Sequence, residues 1–141
     1  MAKITGSCLC GAVVYKISVD PIAVGNCHCR ACQRATGAPF FTEAFFPRDS
    51  VSVTGELTEY SGEADSGATA YRSFCSKCGS LILAYGDDPE LVTVSVATFD
   101  EPARYPPQLD IWVDFAQPWT HMDSHTPKYA RSPKERQETD A

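Results

Sequence analysis

Long apolar runs are missing from this chain of 141 residues. No stretch approaches the roughly 20 residues that a membrane-spanning helix needs, so no membrane partner is expected. Nor does an apolar segment lead the chain, since "MAKITGSCLC" soon reaches Gly6, and no secretory leader is expected. Basic excess is missing as well. The formal net charge is −6, and a nucleic-acid binder needs a positive face to meet phosphates, so no nucleic-acid partner is expected. Metal-bound thiolates would make the balance more negative still. Helical heptads, internal repeats and low-complexity blocks are all lacking, which leaves a length suited to one domain with a real core.

What is present is short strands divided by turn residues. "VVYKISV" (13–19) alternates, with Val13, Tyr15, Ile17 and Val19 on one face. "FFTEAFF", "VSVT", "TAYRSF", "SLILAY", "LVTVSVATF" and "LDIWVDF" follow, rich in β-branched and aromatic residues. Gly25, Gly37, Pro47, Gly55, Gly62, Gly67, Gly86, Pro89 and the Pro106–Pro107 pair read as punctuation. Only Arg30 to Ala35 suggests helix, about one turn. The expected fold is mainly β, one domain over residues 1–130, with 131–141 a flexible charged tail.

Seven cysteines carry the chemistry. In the reducing, cytoplasmic setting expected here, a disulfide framework is the wrong reading for an odd, clustered set. "CLCG" (Cys8, Cys10) and "CSKCG" (Cys75, Cys78) each end in glycine. That is the residue a metal-binding knuckle needs when its turn takes positive φ. Together they predict a closed tetrahedral site of four thiolates. "CHCRAC" supplies Cys27, Cys29 and Cys32 without that glycine, so a second site of three ligands and different geometry is expected, open at its fourth position. A histidine completing the triplet, or thiols acting partly as redox groups, are the alternatives. His28 would point away from both flanking cysteines in an extended segment, leaving metal ligation or packing and hydrogen bonding behind the site. His121 and His125 read as surface residues.

Zinc on three thiolates carries a net charge of −1 and is a poor activator of water. It suits a fourth sulfur, holding a small thiol as the nucleophilic thiolate. An anionic thiol needs a cation, and Arg30 and Arg34 flank the triplet; a guanidinium grips a carboxylate with two parallel hydrogen bonds. Arg72 and Lys77 beside the second knuckle could supply that cation too, though they read rather as solvated charges balancing thiolates at long range. Thr36, Gly37 and Pro39 could line a pocket mouth, while Tyr105, Trp112 and Trp119 read as core.

"GSCLCGAVVY", "CHCRACQRATGAPF" and "RSFCSKCGS", in this order, resemble the glutathione-dependent formaldehyde-activating enzyme family, which includes centromere protein V. The similarity runs from about Gly6 to Tyr129. It implies a β-tent-like zinc fold, with Cys8, Cys10, Cys75 and Cys78 matching structural zinc ligands and Cys27, Cys29 and Cys32 matching catalytic ones, two zinc ions per chain. It also implies a carbon–sulfur lyase that joins glutathione and formaldehyde reversibly as S-hydroxymethylglutathione. One departure is Asp110 in "QLDIW", where family members often carry histidine. Against this enzyme stand a non-catalytic zinc-stabilised binding module and a redox enzyme such as a methionine sulfoxide reductase. The latter needs a reactive cysteine apart from the metal sites, and the chain has none after Cys78.

Overall fold

The computed structural model describes residues 2–133; the expected tail at 131–141 falls largely outside the described residues. Ten strands and one α-helix form: β1 Ile4–Ser7, β2 Val14–Ile17, β3 Ala23–Cys27, α1 Arg30–Thr36, β4 Phe41–Pro47, β5 Val51–Thr54, β6 Leu57–Glu63, β7 Thr69–Cys75, β8 Leu81–Tyr85, β9 Leu91–Ser95 and β10 Leu109–Ile111. They build a three-stranded sheet in the order β1-β2-β5 and a seven-stranded sheet in the order β10-β3-β4-β9-β8-β7-β6. All pairings are antiparallel except β10 with β3. This is the mainly β, short-stranded architecture expected. No helix of the described residues is long and apolar enough to cross a membrane.

The core forms where the two sheets bury their apolar faces. Ile4, Tyr15 and Ile17 from the smaller sheet meet Val24, Ala44, Phe46, Ile82, Val92 and Val94 from the larger. Alternation along β2 buries Val13, Tyr15 and Ile17 as expected, but Val19 lies beyond the strand end and is exposed. Strand β4 uses the same alternation on a larger scale. Ala44 and Phe46 face the inter-sheet core, while Phe41, Glu43 and Phe45 take the opposite face.

Three strands lie where the sequence suggested none. Two of them contain a glycine read as a turn: Gly25 within β3 and Gly62 within β6. Gly25 is small for a packing reason, since a Cβ there would meet Leu109 Cδ1 of β10 at 3.0 Å. The expected strand through "LDIWVDF" stops early. Trp112 adopts φ 58° and a single 3₁₀ turn follows over Val113–Phe115. The C-terminal segment captures the backbone there, as Trp112 N–H donates to Arg131 O at 2.9 Å and Val113 N–H to Tyr129 O at 3.1 Å. The helix runs seven residues, longer than the one turn expected, because Cys29 caps its start and Gly37 its end.

Candidate metal centres and a cleft

The sulfurs of Cys8, Cys10, Cys75 and Cys78 gather within 4.8 Å of one another. Cys8 Sγ lies 3.6 Å from Cys10 Sγ, and Cys10 Sγ 3.8 Å from Cys75 Sγ. The edge of a tetrahedron with roughly 2.3 Å metal–sulfur bonds is about 3.8 Å, so this donor set fits zinc. The two knuckle glycines do what their position suggested: Gly11 takes φ 82° and Gly79 φ 79°. Backbone N–H groups turn inward onto sulfur, from Val13 to Cys8 Sγ at 3.2 Å and from Lys77 to Cys75 Sγ at 3.4 Å. A hydrogen bond with Ser80 leads the effects that hold the Cys78 thiol down to about 5.

Cys27, Cys29 and Cys32 form the second cluster, their sulfurs also within 4.8 Å and all three buried. Its geometry is a strand end feeding a helix start. Cys27 closes β3, Cys29 caps α1, and Cys32 N–H donates to Cys29 Sγ at 3.2 Å. The three thiols compete for one negative charge. Hydrogen bonds from Cys27 and Cys32 hold Cys29 far below the usual thiol range. Cys27 is pushed up by its bond to Cys29. Cys32 is pushed up too, its bond to Cys27 outweighed by Cys29 and by burial. A divalent cation of thiolate preference resolves this competition, so the donor set fits zinc or another soft metal.

His28 sits between the ligands and is fully buried, yet its nitrogens lie outside the cluster. Its Nε2 meets Asp110 Oδ1 at 2.9 Å, and its Nδ1 has no partner among the described residues. Asp110, the residue at the departure from the resembled pattern, is 1% exposed and collects further donors. Thr126 Oγ1 donates to Oδ2 at 2.5 Å, Asn26 Nδ2 donates to Oδ1 at 3.3 Å, and Lys128 Nζ stands 3.4 Å from Oδ2. Burial alone would raise this acid, but the bonds from His28, Thr126 and Asn26 prevail and hold it below its ordinary value of 3.8. A depressed carboxylate adds stability above its unfolded pKa and forfeits it as pH falls through the folded one. Asp110→Asn is therefore expected to destabilise the protein at neutral pH by about 3 kcal/mol, the scale for removing one member of a buried pair. Denaturant melts at falling pH should show this deficit shrinking below pH 3.8.

A cleft of about 300 Å³ opens on the outer face of the larger sheet, and Cys32 is the cysteine in its wall. Phe41, Glu43, Arg72, Tyr85 and Thr93 contribute to the lining. Sheet register assembles it: Arg72 pairs with Ala84, Ala84 with Thr93, and Thr93 with Phe45, one row across four strands. Glu43 is 7% exposed. Burial pushes its carboxyl up to about 7, eased by a hydrogen bond with Thr93, driven further by Cys29 and countered by Arg72. Glu43 did not emerge from the sequence, where Arg72 reads as a charge balancing thiolates in preference to a carboxylate partner. The only signal for Glu43 was an acid on the face of β4 that otherwise carries Phe41 and Phe45.

The residues expected to contact substrate lie elsewhere. Arg30, Arg34 and Gly37 line a separate groove of about 320 Å³ with Gln33, Gln117 and Trp119. A period of 3.6 puts 30, 33, 34 and 37 on one side of α1, away from Cys32. Thr36 Oγ1 donates to Cys32 O at 2.8 Å and accepts from Ala38 N–H at 3.1 Å. Gly37, at φ 71°, donates its N–H to Gln33 O at 2.8 Å and closes the helix. Trp119, expected in the core, is 72% exposed on the groove. Trp112 and Tyr105 do pack, against Phe115 and Phe99 respectively. His121 and His125 are on the surface as expected.

Known proteins resemble the chain over much of its length. The chain is 29% identical over 127 residues to a Halomonas elongata protein provisionally named a glutathione-dependent formaldehyde-activating enzyme, covering 84% of this chain and 80% of that one. It is 30% identical over 95 residues to an uncharacterized lyase of Schizosaccharomyces pombe, covering 65% of this chain and 66% of the relative. The crystal structure of a Rhodobacter sphaeroides protein superposes with a TM-score of 0.55 at 26% identity, over 68% of this chain and 87% of the other. The profile of the family described as glutathione-dependent formaldehyde-activating enzyme matches residues 3–115, a span that holds both cysteine clusters, Glu43 and Arg72. On that match, the chain belongs to the glutathione-dependent formaldehyde-activating enzyme family.

Proposed function

We propose that the protein is a zinc-dependent carbon–sulfur lyase, adding a small thiol such as glutathione reversibly to an aldehyde. The observation that carries this reading is that Cys32 of the three-cysteine cluster forms part of a cleft wall. Two zinc ions per chain are assigned, one to Cys8, Cys10, Cys75 and Cys78, the other to Cys27, Cys29 and Cys32. At the three-cysteine cluster, one donor short of the usual four, zinc supplies the charge that keeps a thiol ionised. The chain does the rest. Phe41 and Phe45 give the cleft an apolar wall that limits water around the reacting carbon. The Arg72 side chain forms no hydrogen bond or ion pair with any described residue, so its guanidinium is available for a carboxylate of the thiol. Arg72 takes the role first read for Arg30 and Arg34. The sulfur then adds to the carbonyl carbon, and the carbonyl oxygen gains a proton. The unit that performs this spans residues 1–130, and its seven cysteines, none of them in a disulfide, suit a reducing cytoplasm.

The test is a titration of the cobalt-substituted protein with glutathione, followed in the visible and near-ultraviolet. A saturable rise in the sulfur-to-cobalt charge-transfer band, lost in Cys29→Ser, is the expected result. An unchanged spectrum with both sites loaded would sink the reading and leave the non-catalytic, zinc-stabilised binding module in its place.

A further inference from the structure

Glu43 is an acid at a position where an acid is expensive. It lies in β4, in the interior of the seven-stranded sheet, with the backbones of Gly25 and Ser95 paired on either side. A carboxylate so buried is destabilising unless it is paired, neutralised or used. It is not paired: Arg72 shares its cleft without forming an ion pair, and Thr93 is its hydrogen-bond partner. It is not a member of the sulfur cluster, and none of the three sulfurs is its hydrogen-bond partner. The other titratable groups of the cleft wall are Cys32, Tyr85, Asp87 and Asp88.

The chemistry proposed above leaves one task unassigned. A thiol that binds ionised must shed its proton, and the oxygen of the adduct must gain one. We infer that Glu43 is the proton-transfer residue of this site, its carboxylate taking the thiol's proton on binding and its carboxylic acid delivering that proton to the carbonyl oxygen. The inference rests on the thiol-adding function proposed for the same cleft.

The step balances without a further reactant. The S–H bond breaks as an O–H bond forms on Glu43. A sulfur electron pair then makes the C–S bond, the carbonyl π pair moves to oxygen, and the Glu43 proton follows it. Glu43 ends ionised, as it began, and the adduct breaks down by the same path reversed. Burial in the wall of the cleft raises this acid and places both protonation states within reach at neutral pH, the condition under which one group can serve as base and then acid.

Glu43→Gln keeps the side-chain shape and removes the exchangeable proton. Calorimetric titration of the zinc-loaded protein with glutathione, in buffers of different ionisation enthalpy, counts the protons released. The negative charge of a thiolate bound beside it raises the Glu43 acid further. At about pH 8 the wild type is therefore expected to keep the proton and release almost none, and the variant to release about one. Exchange between free glutathione and its formaldehyde adduct, measured by NMR, is expected to slow about 10²- to 10⁴-fold in the variant. The wild type alone supplies a second readout should the variant fold poorly. Its proton count should rise towards one as pH falls below about 7, because an acid already protonated cannot accept. Equal proton counts in the two proteins, or a wild-type count that does not rise on acidification, would overturn the role of Glu43 and leave thiol addition standing. A wild-type protein that binds no glutathione would remove both.

Discussion

Cys29→Ser is expected to leave the protein folded while abolishing glutathione binding and turnover. The two halves of that outcome have separate physical causes. Cys29 is the N-cap of α1, and its Sγ accepts the Cys32 N–H. Serine is among the best capping residues and can accept the same bond, so the helix keeps its start. Melting should move by less than about 5 °C. The metal is another matter. Two thiolates and a hydroxyl are a poor soft-metal set, and the ligand lost is the one on which the cluster's negative charge settles. Metal content should fall from two per chain to one, and catalysed adduct exchange should fall to the uncatalysed rate. A variant that melts like one lacking the closed cluster would mean that Cys29 serves the fold instead. A variant that keeps full activity would remove the triplet from the chemistry.

Cys75→Ser is expected to unfold the protein or to prevent its accumulation. Cys75 is 1% exposed and packs in the core cluster with Cys8, Tyr15 and Ile82. Its site joins the turn after β1, which carries Cys8 and Cys10, to the end of β7 and the turn that follows, which carry Cys75 and Cys78. The closed cluster therefore pins the small sheet to one end of the large one, across a sequence separation of 65 positions from Cys10 to Cys75. Structural zinc sites contribute on the order of 10–16 kcal/mol, as much as or more than the about 5–15 kcal/mol that separates a folded domain from its unfolded state. Circular dichroism during stepwise chelation gives the same contrast without mutation. The first metal to leave should come from the three-cysteine cluster and spare the sheet signal, and the second should take the cooperative transition with it. A protein that stays folded after both are gone would show that apolar packing alone holds the sheets.

The two cysteine groups were legible because a knuckle is a local structure. Cys-x-Cys-Gly and Cys-x-x-Cys-Gly place sulfurs, inward N–H groups and a positive-φ residue within five positions, and Gly11 and Gly79 show the conformation that this spacing demands. The alternation that assigned β2, β4, β5, β7 and β8 is local in the same sense, since a strand's two faces differ over a few residues. Strand β3 was hidden because its glycine answers to Leu109, a residue 84 positions away in sequence. Trp112 leaves the strand pattern because of Arg131 and Tyr129, again outside any local window.

By itself the sequence determined the four-plus-three division of the cysteines, the mainly β class and the family. Tertiary structure alone decided which cations and acids share space with the triplet. Arg30 and Arg34 are close to it in sequence but turn to another groove, because a helix sends residues two positions apart to different sides. Arg72 and Glu43 are far from it in sequence but share a cleft with Cys32, because sheet register stacks β7, β8, β9 and β4 side by side. Spacing encodes turns and faces; register between distant strands is a property of the assembled sheet, and the cleft is built from register.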